Sequence, residues 1–283
     1  MPYLDRYHSS DDGLRLYARD YLGPAPDAPV VLCLPGLTRN SKDFAALAES
    51  LSTRYRVICP DLRGRGHSQR DADPSRYRPD RYCVDMLGLL DLLQLPQVSI
   101  VGTSLGGLMA VMLAAMQPAR IHAIVLNDVG PELDPRGIAR IAGYVGKQHG
   151  PCSLDEAIAR IAAINGQAFP DYTRADWLAM VMNTCVMEGE QVLLDYDPTI
   201  SQGVANGSAA PNLWPLFQML GEHPVLAVRG ALSDILAPAT LAAMAERLPT
   251  LQALEIANRG HAPTLDEPAA RQAIHDFLAR HIP

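Results

Sequence analysis

Three residue types that together carry out nucleophilic acyl transfer stand in this chain in settings that suit them. Ser104 lies in Gly102-Thr103-Ser104-Leu105-Gly106, a G-x-S-x-G pattern. The apolar run Val98-Ser99-Ile100-Val101 precedes it, and a run with helical character from Gly107 to Gln117 follows, closed by Pro118. Glycines on both sides let the chain turn tightly between strand and helix, where a side chain would collide with its neighbours. The turn lifts the hydroxyl clear of the sheet edge, and the helix starting there aims its positive N-terminus at the reacting oxygen. A serine works as a nucleophile when a base takes its proton and a carboxylate orients that base. Of the eight histidines, His261 has the fitting context, Gly260-His261-Ala262-Pro263 after a strand-like run from Leu251 to Ile256. Asp234 follows another, Val225 to Gly230, and completes the chain order serine, acid, histidine. Asp128, just past the strand-like run Ile121 to Leu126, is the alternative acid.

These residues need a scaffold that collects strand ends. Val30 to Leu34 is a continuous apolar run of the kind buried on both faces of a sheet. Arg56 to Cys59 reads as a strand, and residues 14–21 alternate after an Asp11-Asp12-Gly13 turn. Helical spacing appears over Ser41 to Ser50, Asp80 to Leu93, Ala237 to Leu248 and Pro268 to Arg280. Strands alternating with helices imply a mostly parallel α/β sheet, whose sites form past the strand C-termini. Ser104, Asp234 and His261 all fall there. Between about Pro131 and Leu220 the alternation breaks into several helices and few strands. Ser153-Leu154-Asp155-Glu156 fits a capping box opening one helix, Thr173 to Glu188 reads as another, and Asn206-Gly207-Ser208 as a loop. A segment that leaves the sheet and returns at the same edge lies over Ser104 as a cap.

With these motifs in order, the chain resembles the α/β-hydrolase fold superfamily, in its capped serine esterase/lactonase-like branch. Leu34-Pro35-Gly36-Leu37 resembles the family's oxyanion loop, and Asp61-Leu62-Arg63-Gly64-Arg65-Gly66-His67-Ser68 its D-x-R-G-x-G-x-S turn. The resemblance implies an eight-stranded, mostly parallel sheet with helices on both faces and a helical cap inserted after the sixth strand. The core would comprise residues 1–130 and 221–283, and the cap 131–220. It implies Ser104 as nucleophile, His261 as base and Asp234 as acid, although some members take the acid from the place Asp128 holds. Oxyanion donors would be the backbone N–H groups of Leu37 and Leu105. Many relatives have a His-Gly dipeptide where this chain has Pro35-Gly36. Arg39 follows closely and reads either as a contact for a substrate carboxylate or as a surface arginine capping the next helix.

The expected activity is cleavage of a carboxylic ester or lactone through an acyl-enzyme, with neither a metal nor an organic cofactor implied. Hydrolysis of carbon–carbon bonds in ring-fission products is an alternative, although those elbows commonly carry Asn where this chain has Thr103. Ligand sensing with slow turnover is another. A net charge of −7 without a basic block argues against a nucleic-acid partner. The arginines at 63, 65, 70, 76, 78 and 81 alternate with aspartates and read as a solvated, ion-paired loop. The five cysteines show no metal spacing and fit a reduced, cytoplasmic setting, with Cys33 and Cys59 as small buried hydrophobes. Residues 1–6 lack the regions of a leader, and the longest apolar stretch is too short to cross a bilayer. The partner expected is a small ester or lactone, with no membrane, and a homodimer is compatible. Basic residues in the cap, among them Arg136, Arg140, Lys147, Arg160 and Arg174, suit exposed helix faces, so the acyl pocket reads as uncharged.

Overall fold

The computed structural model describes residues 3–147, 150–202 and 212–282; Asn206-Gly207-Ser208 lies outside them. One eight-stranded sheet organises the chain. It runs β1 (Leu4–Ser9), β2 (Arg15–Tyr21), β4 (Arg56–Asp61), β3 (Val30–Leu34), β5 (Val98–Thr103), β6 (Ile121–Asn127), β9 (Val225–Gly230), β10 (Leu251–Ile256). Only β1 and β2 run antiparallel to their neighbours. From β4 to β10 every pairing is parallel. All five residues of β3 are buried, as a strand covered on both faces must be.

Two apolar layers cover the sheet. On one face pack α2 (Pro79–Leu92), α3 (Leu105–Met116) and α8 (Pro238–Arg247), through residues such as Met86, Met109 and Met244. On the other lie α1 (Ala45–Leu51) and α9 (Pro268–His281), through Leu47, Leu51, Ile274 and Phe277. Cys33 and Cys59 are fully buried in this second layer, as small hydrophobes. The short stretch predicted as one helix over 41–50 begins as a 3-10 turn, Ser41–Phe44, before α1.

Between β6 and β9, which pair directly, the chain makes its long excursion. It contains α4 (Pro135–Tyr144), α5 (Leu154–Asn165), α6 (Arg174–Thr184), a hairpin of β7 (Cys185–Glu188) and β8 (Gln191–Leu194), and α7 (Trp214–Gln218). The Ser153–Glu156 capping box is formed, with both reciprocal bonds. The helix expected through Glu188 stops at Thr184. Gly189, at φ +62°, supplies the turn that pairs Glu188 with Gln191, and the hairpin takes the last four residues. This segment has its own apolar cluster, centred on Ile158, Phe169, Trp177 and Val181.

Candidate active site

Ser104 sits at the β5–α3 turn with φ 53° and ψ −113°, a region that side chains rarely occupy. Its N–H is tied to the Asn127 carbonyl at 2.9 Å, and the N–H groups of Gly107 and Leu108 converge on its own carbonyl. The flanking glycines are steric necessities. A Cβ on Gly106 would run into the Leu34 carbonyl oxygen, and one on Gly102 into the Gly106 carbonyl oxygen.

His261 arrives from the loop after β10, at the sheet's edge. That loop is drawn inward by Asn127 Nδ2 donating to the Pro263 carbonyl at 2.8 Å and by Gly260 N–H donating to Ala168 O at 2.7 Å. His261 Nε2 then lies 2.9 Å from Ser104 Oγ, and Nδ1 lies 2.8 Å from an Asp128 oxygen. Asp128 is wholly buried, at φ +57° just past β6. Its other oxygen accepts the Gly230 N–H at 2.9 Å, and the oxygen facing His261 also accepts the Ser233 hydroxyl at 2.5 Å. Ser233 Oγ in turn accepts the N–H groups of Ile235 and Leu236 at 3.1 Å each.

The expectation that Asp234 orients His261 is therefore corrected: the partner of His261 is Asp128. Both aspartates follow strands next to one another at the right sheet edge, so topology admits either. Side-chain direction within the loop decides. Ser233 turns inward, and its neighbour Asp234 turns outward to a bidentate pair with Arg140 of α4, at 2.5 and 2.8 Å. The Arg140 bonds, opposed by partial burial, hold the Asp234 carboxyl below its ordinary range.

Leu37 lies past β3 in a turn closed by Arg39 N–H donating to Gly36 O at 3.1 Å. Arg65 Nε donates to the Leu37 carbonyl at 2.9 Å, which fixes that residue's peptide planes. Arg65 is itself gripped by the Arg63 carbonyl and Tyr82 hydroxyl, at 2.6 and 3.1 Å. Leu105 opens α3, so its N–H has no acceptor within the helix. Sequence reading did not single out Arg65. The expectation of a solvated arginine loop is half corrected: Arg63 and Arg65 are 0% and 1% exposed. Arg63 is ion-paired to Asp85 and Asp71, both at 2.6 Å, inside the protein rather than at its surface. Burial pushes the Asp61 carboxyl up, against the N–H bonds it accepts from Ser41 and His67, and Asp61 thereby ties this turn to the start of the 3-10 segment.

A cavity of about 530 Å³ opens above Ser104. The sheet side contributes Leu37, Ser104 and His261; Tyr144, Ile161 and Met180 come from the excursion. Of the aromatic and methionine residues of the excursion, Tyr144, Met180 and Tyr196 line the cavity, Trp177 packs in the segment's own cluster, and Met182 and Met219 are exposed. Arg39 also lines it, half-buried and clamped by Asp43, not free on the surface. Among the described residues one carboxylate trio, Asp11, Asp12 and Asp85, converges closely enough for a cation, but Arg63 and Arg81 already pair with it.

Residues 29–268 match the family described as alpha/beta hydrolase fold. The chain belongs to that family. This α/β-hydrolase is 35% identical over 274 residues to a 3-hydroxybutyrate-oligomer hydrolase from Cupriavidus necator, covering 92% of each chain. It superposes on the crystal structure of an alpha/beta hydrolase from Novosphingobium aromaticivorans with a TM-score of 0.93 at 42% identity, over 99% of both chains. The enol-lactonase from Burkholderia xenovorans shares the fold, with a TM-score of 0.76 at 24% identity over 97% of this chain and 100% of that one. The α/β-hydrolase is thus a hydrolase by kinship, with esterase-like and carbon–carbon hydrolase relatives; a 2-hydroxymuconate semialdehyde hydrolase from Pseudomonas is 38% identical over 39% of each chain. No helix among the described residues is long and apolar enough to cross a membrane.

Proposed function

We propose that this α/β-hydrolase cleaves carboxylic esters, with short oligoesters of aliphatic hydroxy acids as its substrate class and lactones as their cyclic counterparts. The observation that carries the reading is the unbroken relay Ser104–His261–Asp128, with both imidazole nitrogens engaged. Ser104 Oγ attacks the ester carbonyl while His261 Nε2 takes its proton. Asp128 holds the ring by Nδ1–H and stabilises the imidazolium. The N–H groups of Leu37 and Leu105 receive the developing oxyanion. His261 then protonates the leaving alcohol, and a water activated by the same ring releases the acyl group. The excursion between β6 and β9 acts as the cap that encloses the acyl chain. Oligomers of a hydroxy acid are joined by ester bonds, so the relative named for them supports the ester reading over carbon–carbon cleavage. Free thiols at all five cysteines suit a reducing, cytoplasmic setting.

A fluorophosphonate probe tests the nucleophile. It is expected to label Ser104 in the native protein and to leave Ser104→Ala unlabelled and inactive on a hydroxybutyrate dimer. Labelling elsewhere, or full activity in the variant, would falsify the assignment. Repeated turnover of the dimer separates the enzyme from a ligand sensor that stalls after one cycle.

A further inference from the structure

The charged groups lining the cavity are not equally committed. Asp43 accepts two bonds from Arg39, at 2.5 and 2.7 Å. Asp176 accepts the Thr173 N–H and hydroxyl, Asp266 faces Arg271 at 3.1 Å, and Glu267 is bound by Arg259 at 2.8 Å. Each lining carboxylate is thus engaged within the protein through at least one oxygen, although Glu267 Oε2 is buried without a hydrogen-bond partner among the described residues. Of the lining cations, Arg259 is likewise committed, to Asp171 and Glu267, whereas the others keep donors to spare. Arg39 spends Nε and Nη2 on Asp43, and its Nη1 edge has no hydrogen-bond partner among the described residues. Lys147 and Arg160, both exposed, also line the cavity, and among the described residues no ion pair reaches either one.

Arg39 is also close to the reacting centre. A point at the Cβ position of Gly36 would lie 3.4 Å from Arg39 Cγ and 3.9 Å from Ser104 Cβ, so the arginine stem passes beside the elbow. Its backbone closes the turn that carries Leu37. The Asp43 clamp fixes the guanidinium plane and leaves one edge with two N–H donors. The cavity it faces is lined elsewhere by apolar side chains such as Ile141, Ile161 and Met180. A fixed cationic donor in such a place gains most from an anionic acceptor, and the planar guanidinium suits a carboxylate. Cations at the mouth draw anions toward a protein whose net charge of −7 would otherwise repel them.

We propose that Arg39 determines specificity by receiving a free carboxylate carried on the alcohol side of the ester, within a few bonds of the scissile carbonyl. This rests on the ester reading above and adds to it the identity of the group that is recognised. The expectation of an uncharged pocket is corrected: Arg136 and Arg174 of the excursion are exposed, but Lys147 and Arg160 line the cavity. Arg39 comes from the sheet side instead.

The test compares 3-butanoyloxybutanoate with its neutral, nearly isosteric carboxamide, following the released alcohol by chromatography. The quantity read is the ratio of the two kcat/KM values within each protein, so any general loss of activity cancels. The native enzyme is expected to favour the acid by about 10- to 100-fold, the worth of a charge-assisted hydrogen bond. Arg39→Met combined with Asp43→Asn, which strands no carboxylate, is expected to bring the ratio to about one. A double variant that keeps the native preference overturns the proposal, as does a native enzyme with none. Collapse of the ratio in Lys147→Ala or Arg160→Ala, with the Arg39 variant unaffected, places recognition at the mouth and also overturns it. Failure of the native enzyme to cleave either compound overturns the ester reading together with the proposal; cleavage of both at equal rates overturns the proposal alone.

Discussion

Ser233 donates its hydroxyl, at 2.5 Å, to the same Asp128 oxygen that faces His261. Two donors on one carboxylate oxygen restrain it in position. Removing the hydroxyl in Ser233→Ala also strips the acceptor from the Ile235 and Leu236 N–H groups. The expected loss in kcat is about tenfold, as for one hydrogen bond to a charged group. Steady-state kinetics of both proteins check this; an unchanged kcat would leave Ser233 with a merely structural role.

Asp128→Asn and Asp234→Asn separate the two candidate acids. The first is expected to lower kcat by roughly 10⁴, because the wrong imidazole tautomer then faces Ser104. The second breaks the Arg140 pair and leaves the relay intact, so kcat should stay within about tenfold of native, the cost of losing one charged hydrogen bond. Both proteins must give native far-UV and near-UV circular dichroism for the comparison to count. Reversal of the two effects would return the acid's role to Asp234.

In the proposed mechanism Arg65 acts through Leu37, whose carbonyl it holds. Losing one oxyanion donor costs about 10²–10³ in kcat in a serine hydrolase. Arg65→Met frees the Leu37 carbonyl and lets its turn relax, so kcat should fall by up to about 10² while KM changes little. A structural role alone would lower the melting temperature without that split. Kinetics measured well below the melting transition decide between them.

Asp20 supplies a pH test of stability. It is wholly buried and bonded by Arg56 at 2.8 and 2.9 Å and by Arg6 at 2.8 Å. Burial alone would raise its pKa, but the Arg56 and Arg6 bonds win and hold it below the usual 3.8. A depressed carboxyl contributes stability above its unfolded pKa and loses it as pH falls through the folded value. Asp20→Asn should therefore cost about 3 kcal/mol at pH 7, as for a broken buried pair, and progressively less below pH ~4. Urea unfolding across that range measures the difference; a gap that widens on acidification would contradict the sign.

The parts of the fold written in periodicity were legible in the sequence. The run Val30 to Leu34 reads as a doubly buried strand, Leu251 to Ile256 matches β10, and the elbow is set by glycines whose replacement would clash. Ser104 and His261 were legible for the same reason, since each follows a recognisable strand. The acid was not. Asp128 and Asp234 satisfy the same topological rule, and the choice turns on whether Ser233 or Asp234 faces inward, a property of the loop's backbone path that no pattern encodes. Arg65 reads in the sequence as part of a solvated loop because a buried arginine and a surface one look alike there; only packing against Tyr82 and the Leu37 carbonyl distinguishes them. The hairpin after α6 was hidden by an apolar run too short to separate helix from strand.

The location of Asp128 frees another part of the molecule. The proposed nucleophile and acid, Ser104 and Asp128, follow neighbouring strands, β5 and β6, laddered directly through Thr103 and Asn127. The turn after β9 needs only one hydroxyl, that of Ser233, for the relay. The next residue, Asp234, is spent as a mooring for the α4 helix through Arg140. Fastening of α4 and support of Asp128 therefore reside on consecutive residues with separate duties. The grip on α4 can be loosened or tightened at Arg140, by engineering or by drift, while the proposed relay stays as it is.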